Sequence, residues 1–229
     1  QSHYGRGILP ALSCPRKDSF RTSSPTLPTG LRNVGKQWRM LFEKKQFRGD
    51  DCMIYVCSDI HGHYVKYLAM LKAIGLRSSD TLWVLGDVID RGPEGCRVLL
   101  DMMGRPNVIP ILGNHEFTAA VCLPWLMEEV TEQSLDALDR TQLAALSEWV
   151  ANGGGATLRE LKRVPQQARE QILAYIRDMD LYAQVSVGGR DFILVHAGLE
   201  NFSADKPLEE YELQDFLFSR PKPDQVYFK

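Results

Sequence analysis

The sequence predicts an α/β fold whose parallel strands carry polar residues to one edge of a sheet. Three short runs predict it. Met53-Ile54-Tyr55-Val56-Cys57 leads into Ser58-Asp59-Ile60-His61-Gly62. Leu82-Trp83-Val84-Leu85 leads into Gly86-Asp87-Val88-Ile89-Asp90-Arg91-Gly92. Asn107-Val108-Ile109-Pro110-Ile111-Leu112 leads into Gly113-Asn114-His115-Glu116. Each reads as a buried strand that stops at a turn. Asp59 to Asp87 spans 28 residues and Asp87 to Asn114 spans 27, close to the roughly 30 residues of a βαβ unit. Right-handed crossovers keep such strands parallel. The three polar clusters are therefore expected together at the strands' carboxyl ends, where open α/β sheets hold their ligands.

Taken in order, residues 1–35 are rich in Pro, Ser, Thr, Gly and Arg without a hydrophobic period, and read as a disordered arm. Residues 36–48 place Trp38, Leu41, Phe42 and Phe47 among basic residues, which predicts a short amphipathic helix resting on the domain or a partner. Glu43 and the short length speak against a membrane surface. The chain thus divides into a basic arm, 1–52, and a folded domain, 53–229, whose first strand opens at Met53. Tyr67, Leu68, Leu71 and Ile74 recur at helical spacing before Gly75, a C-cap. Thr81–Gly86 is the second strand. Pro93–Met103 is the second helix, with Pro near its start and Gly104 after it. Asn107–Leu112 is the third strand. Residues 114–149 read mostly helical, interrupted at Pro124 and near 138–141. Gly153-Gly154-Gly155 breaks the pattern, and helices resume over 156–164 and 166–179. This helical insertion is expected to cap the site. Tyr182–Val187 and Asp191–Val195 form a hairpin around Gly188-Gly189, and His196 stands at its end.

Charge and composition exclude several classes. Hydrophobic residues make up 44% and charged ones 24% of 229 residues, an ordinary globular balance. No apolar run approaches the ~20 residues of a membrane span. Residues 1–52 hold ten Lys and Arg against four Asp and Glu, a net of +6, while the remaining 17 against 25 leave the domain at −8. An acidic domain is a poor match for nucleic acid. Five cysteines, an odd count, lack metal-type pair spacing apart from the isolated Cys52 and Cys57. Cys57, Cys96 and Cys122 fall in strand or helix patterns and read as free thiols, which suits a reducing cytoplasm.

The residue types define a chemistry. Oxygen donors with imidazoles, and no thiolate set, suit Mn²⁺, Fe or Zn. Asp59 and His61, two apart on an extended segment, can clasp one ion. Asp87 has two oxygens and can bridge two ions, and Asn114 and His196 can hold the second. Two such ions ~3.5–4 Å apart activate water for in-line attack on phosphorus. Asp90 is placed to orient His115, which can then protonate a leaving oxygen. Arg91 offers a fork for phosphate oxygens. His63 reads as an exposed or capping residue and His3 as idle in the arm. Asn152 is either a C-cap or a residue shaping the site.

Ser58-Asp59-Ile60-His61-Gly62, Gly86-Asp87-Val88-Ile89-Asp90-Arg91-Gly92 and Gly113-Asn114-His115-Glu116 resemble the three motifs of the phosphoprotein phosphatase family of calcineurin-like binuclear metallophosphoesterases. Trp149-Val150-Ala151-Asn152-Gly153-Gly154-Gly155 and His196-Ala197-Gly198 resemble its prokaryotic, bacteriophage lambda-type branch. The likeness covers about Met53 to Arg220, with Ser58 standing where the family most often has Gly. It implies two facing mixed sheets flanked by helices. It implies two divalent ions, Mn²⁺ first, on Asp59, His61, Asp87, Asn114 and His196, and catalytic roles for His115, Asp90 and Arg91. Arg91, Asn114 and Arg220 would meet the substrate phosphate, Arg220 having a surface role as its rival reading. The implied substrate is a phosphoserine or phosphothreonine protein or peptide, with phosphotyrosine as an extension. Hydrolysis of dinucleoside polyphosphates is the alternative. The family has one further metal-binding His in a Gly-His-Thr segment beyond Arg220, and none follows here. A fragment is the expectation, and a phosphate-binding protein with impaired turnover is a third reading.

Overall fold

The computed structural model describes residues 52–126, 139–199 and 202–220, together with the backbone of 45–46. Its strands are β1 Lys45–Gln46, β2 Ile54–Cys57, β3 Thr81–Leu85, β4 Val108–Ile111, β5 Tyr182–Val187 and β6 Arg190–Val195. Its helices are α1 Tyr64–Ile74, α2 Gly95–Met103, α3 Asn114–Cys122, α4 Arg140–Trp149, α5 Gly155–Leu161, α6 Gln166–Arg177 and α7 Leu213–Leu217. Among the described residues, no helix is long and apolar enough to cross a membrane.

The three motif-bearing strands form one parallel sheet in the order β2-β3-β4. Cys57 pairs with Val84 and Leu85 with Ile111, so all three strands end almost level and release their motifs side by side. The second sheet has the order β1-β5-β6, with β1 parallel to β5 and β5 antiparallel to β6. Among the described residues the first sheet is thus purely parallel, and the second is mixed. The strand at Lys45–Gln46 is a correction. These two residues lie inside the segment expected to be helical, and they place the first strand before Met53, in the second sheet rather than the first. Apart from Cys52, the rest of the basic arm lies outside the described residues, as do 127–138 of the insertion.

Alternation along β3 builds the layers. Leu82 and Val84 point into the main core with α1, α2 and α3, while Trp83 and Leu85 point the other way, packing with Ile111 of β4 against Val185 and Leu194 of the facing sheet. Trp83 is 2% exposed, and its truncation to Ala is worth about 3–5 kcal/mol on the scale for buried aromatics. Helix α1 ends as its sequence requires. Gly75 has φ +58°, and Leu76 N–H reaches Leu71 C=O at 3.2 Å, the six-to-one closure that a residue without Cβ permits. Helix α2 buries Gly95, Val98, Leu99 and Met102, a stripe at helical spacing. Pro93 lies before its N-cap, Glu94, not inside the first turn. The α2 N-terminus is closed from elsewhere, since Glu160 of α5 accepts Cys96 N–H at 2.8 Å and Arg97 N–H at 3.0 Å.

The glycine run does not end the insertion's helical course. A π-helical turn over Val150–Gly154 joins α4 to α5, and the break is confined to Gly153 at φ +108°. Cys57, Cys96 and Cys122 are free thiols, with Cys96 and Cys122 buried and Cys57 half-buried.

Candidate metal centre

The loops after β2 and β3 stay zipped beyond the strands. Asp59 N–H donates to Gly86 C=O at 3.2 Å, His61 N–H to Asp87 C=O at 2.8 Å, and Gly62 N–H to Val88 C=O at 2.7 Å. The zipper is bought with backbone strain. Among the described residues, the non-glycine positions with left-handed φ are Asp59, His61, Asp87, Asp90 and Arg91, at +45° to +67°. Such conformations cost on the order of 1–3 kcal/mol each and persist only where their surroundings fix them. Asp59 and His61 are therefore not on an extended segment. Two turn residues, not strand alternation, bring them to one side.

Asp87 sits at the centre. Its Oδ2 lies 3.6 Å from His61 Nε2 and its Oδ1 lies 3.5 Å from His196 Nε2, so each oxygen faces a different imidazole. On the first side, Asp59 Oδ1 is 3.7 Å from His61 Nε2. On the second, Asn114 Oδ1 is 2.9 Å from His196 Nε2. Both rings are oriented from behind. His61 Nδ1–H donates to Ile89 C=O at 2.9 Å and His196 Nδ1–H to Leu85 C=O at 2.7 Å. This leaves each Nε2 with its lone pair facing the carboxylate, the usual way a protein presents imidazole to a metal. Burial, first of all, lowers the His61 pKa and keeps that ring neutral. The donor set therefore fits a pair of divalent ions: Asp59, His61 and Asp87 for one, Asp87, Asn114 and His196 for the other. Ligand atoms of His61, Asp87 and His115 also lie within 4.8 Å of one another, but the two His115 nitrogens are already engaged.

His115 Nδ1–H donates to Asp90 Oδ2 at 2.7 Å. Its pKa is pulled down by burial, but the Asp90 hydrogen bond and the charges of Asp87 and Asp90 outweigh this, and the net movement is upward. The ring therefore holds a proton more readily than a free histidine. Arg91 lies across the cleft, its Nη1–H on His61 Nε2 at 2.7 Å and its Nη2–H on His115 Nε2 at 3.1 Å. The surrounding cleft, about 440 Å³, is also lined by Asn152, Phe218 and Arg220. Arg220 is solvent-exposed and still borders the cleft. His63 is exposed at the start of α1, without a side-chain capping bond. His3 lies outside the described residues.

Three residues around this cluster had no role assigned from sequence. Glu116, fully buried, accepts N–H groups from Asp87, Val88, Ile89 and Gly113 at 2.8, 2.8, 3.1 and 3.2 Å. Burial and then the Asp87 charge push its pKa up to about 7, against the pull of the Ile89 and Asp87 N–H groups. Its position three residues after Gly113, the reach-back spacing at a helix start, was a legible signal. Trp149 and Thr157, from the insertion, both bind the Asp90 carboxylate. Trp149 opened the Trp149–Gly155 run that carries the family resemblance but had no role of its own there, and Thr157 carried no signal.

The chain is similar in sequence to known proteins. The model of the calcineurin-like phosphoesterase family matches residues 53–228. Among curated relatives, the symmetrical bis(5'-nucleosyl)-tetraphosphatase of Acidovorax ebreus (strain TPSY) is 30% identical over 158 residues, 68% of this chain and 47% of that protein. The symmetrical bis(5'-nucleosyl)-tetraphosphatase of Wigglesworthia glossinidia brevipalpis is 32% identical over 99 residues, 42% of this chain and 36% of that protein. The chain thus spans about half or less of the length of these relatives. A solved protein serine/threonine phosphatase from Saccharomyces cerevisiae aligns with a TM-score of 0.43 and 19% identity, covering 77% of this chain and 49% of that one.

Proposed function

Because this chain belongs to the calcineurin-like phosphoesterases, we propose that it is a metal-dependent hydrolase whose centre is built on Asp87 and whose substrate is a dinucleoside polyphosphate. The observation that carries the catalytic reading is the Asp87 carboxylate, with one oxygen toward His61 and the other toward His196. The substrate class rests on the curated relatives, which are symmetrical tetraphosphatases.

When bound, divalent ions on Asp59, His61, Asp87, Asn114 and His196 supply positive charge against the phosphate and acidify water. The chain's own groups do the rest. Arg91 shares the His61 Nε2 lone pair with any cation placed there. Once displaced, its guanidinium is free to bind phosphate oxygens in a two-pronged contact. Arg220, at the cleft border, adds a second cation for a polyanionic chain. With Arg91 turned away from its Nε2, His115 can carry a proton there and give it to the leaving oxygen, while Asp90 holds the ring through Nδ1. For a symmetrical cut of a tetraphosphate the leaving group is a nucleoside diphosphate.

A second reading, hydrolysis of phosphoserine or phosphothreonine in proteins by a lambda-type phosphatase, is supported by the forms Asp90-Arg91-Gly92 and Asn114-His115-Glu116. The deciding experiment gives the purified chain, with added Mn²⁺, equal concentrations of diadenosine tetraphosphate and a phosphothreonine peptide. A kcat/KM at least about tenfold higher on the dinucleotide, or about 1.4 kcal/mol of discrimination, supports the first reading, and the reverse ratio transfers the assignment to the second. Hydrolysis of neither substrate, nor of p-nitrophenyl phosphate, sinks both.

A further inference from the structure

The Asp90 carboxylate is 0% exposed and has three side-chain partners, two of them supplied by the insertion. Trp149 Nε1–H donates to Oδ2 at 2.9 Å, the same oxygen that receives His115 Nδ1–H at 2.7 Å. Thr157 O–H donates to Oδ1 at 2.6 Å, and the same hydroxyl accepts Asp90 N–H at 3.0 Å. Trp149 and Thr157 are themselves 1% and 2% exposed. On a straight helix, residues eight apart are separated by about 12 Å along the axis and cannot close on one carboxylate. They do so here because the chain turns at Gly153, φ +108°, between α4 and α5. Gly153 C=O also accepts Arg91 N–H at 3.1 Å. Irregular turns of this kind collect at functional sites.

We propose that Trp149 and Thr157 are positioning residues, which lock the Asp90 carboxylate in the orientation that aims His115 at the leaving oxygen. The inference rests on the reading of His115 as the proton donor. A carboxylate held at both oxygens has one rotamer, and its remaining lone pair on Oδ2 fixes the His115 ring. Without the indole N–H, the same carboxylate can swing about its Cβ–Cγ bond. The His115 ring then follows it, and misaimed proton donors lose much of their effect. The insertion thus does more than cover the cleft, because its bend sets the acid.

The alternative is that Trp149 and Thr157 only satisfy a buried charge, in which case their loss lowers stability and leaves the chemistry of the leaving group alone. Trp149→Phe keeps the ring and removes the N–H, Thr157→Val keeps the volume and removes the hydroxyl, and Thr157→Ser keeps the hydroxyl. The full chain with added Mn²⁺ is assayed on phenyl phosphate, whose leaving oxygen needs a proton, and on 2,4-dinitrophenyl phosphate, whose leaving oxygen does not. Positioning predicts that Trp149→Phe and Thr157→Val each lower kcat on phenyl phosphate by about tenfold or more, within the ~10²–10⁴ that a general acid supplies. KM and the dinitrophenyl rate should stay within about twofold of the original, and Thr157→Ser should restore the phenyl phosphate rate. In parallel, the His115 Nδ1 proton resonance of the metal-free, ¹⁵N-histidine-labelled chain should move upfield in both damaging variants. Equal losses on the two substrates, or an unmoved resonance in a folded variant, overturn the proposal. Should Trp149→Phe fail to fold, the Thr157 pair decides on the same readouts. His115→Asn is run alongside. If that variant shows no preference between the two leaving groups, the reading of His115 has failed, a different failure from that of its positioning residues.

Discussion

Glu116 accepts the backbone N–H of Asp87 at 2.8 Å, and its two oxygens also hold the N–H groups of Val88, Ile89 and Gly113. The strained turn that presents Asp87 is thus fastened by one buried carboxylate reaching over from α3. Glu116→Gln turns one acceptor oxygen into an NH₂ group facing backbone donors. A buried donor left unpaired costs about 1–3 kcal/mol, and more than one is affected here. The expected result is a stability loss of about 2 kcal/mol or more in urea unfolding, with Mn²⁺ affinity reduced ~10–100-fold. Unchanged urea midpoint and unchanged Mn²⁺ titration would count against the clamp.

Gly86 and Gly113 let the β3 and β4 exits touch. A Cβ on Gly86 would lie 2.5 Å from Gly113 Cα and 2.8 Å from His196 Nδ1, and Gly86 has φ +76°. Overpacking of a rigid contact costs about 1–3 kcal/mol, and a left-handed φ about 1–2 kcal/mol more for a residue with a Cβ. Gly86→Ala should therefore destabilise the chain by at least about 2 kcal/mol and disturb His196. A comparable Gly75→Ala variant, with φ +58° but nothing within 4 Å of its Cβ, should lose only the conformational part. Equal losses for the two would show that the close approach is irrelevant.

At the opposite end of the sheet, Asp80 binds the Arg77 guanidinium, Met53 N–H at 2.9 Å and Arg77 N–H at 2.9 Å. These partners, Arg77's side chain first, hold its carboxyl below the usual carboxylate range. A carboxyl depressed by folding stabilises the fold above its unfolded pKa of ~3.9, and that stabilisation is lost as pH falls through the folded value. Asp80→Asn should thus lower Tm at pH 6, and the gap to the parent chain should narrow below about pH 4. A gap independent of pH from 6 to 2.5 would leave the charge without a role.

Much of this was legible because it follows from periodicity. The runs ending at Cys57, Leu85 and Leu112 had the length and spacing of parallel strands, and Gly75 and Gly188-Gly189 marked a helix end and a hairpin. The polar residues at their ends were readable as a set, since Asp or Asn after one strand is an ordinary turn or cap residue while three such clusters at one sheet edge are not. What escaped depended on partners distant in sequence. Lys45–Gln46 is a strand only because β5 pairs with it, and local amphipathic spacing pointed to a helix instead. Gly153-Gly154-Gly155 looked like a stop, yet the chain bends there and continues, because Gly153 approaches Arg91 and Gly154 the Trp149 indole too closely for any Cβ. Thr157 touches Asp90 across 67 positions, and no local pattern announces such a contact.

The bridging role assigned to Asp87 separates it from every other candidate ligand. Its oxygens face His61 and His196 at 3.6 and 3.5 Å, whereas Asp59 lies near the His61 imidazole and Asn114 near that of His196. A shared ligand should weaken both ions when changed, and an unshared one should weaken mainly its own. In calorimetric titrations with Mn²⁺, Asp87→Asn is expected to lower the affinity of both binding events by about tenfold or more, a scale taken from changes just outside the ligand shell. An amide offers one neutral oxygen where two cations need a charged pair. His61→Ala should remove one event and His196→Ala the other. Hydrolysis of p-nitrophenyl phosphate should vanish in Asp87→Asn while its circular dichroism stays that of the parent chain. If Asp87→Asn loses a single event and keeps the other at full affinity, Asp87 is an ordinary ligand and the centre does not share a carboxylate.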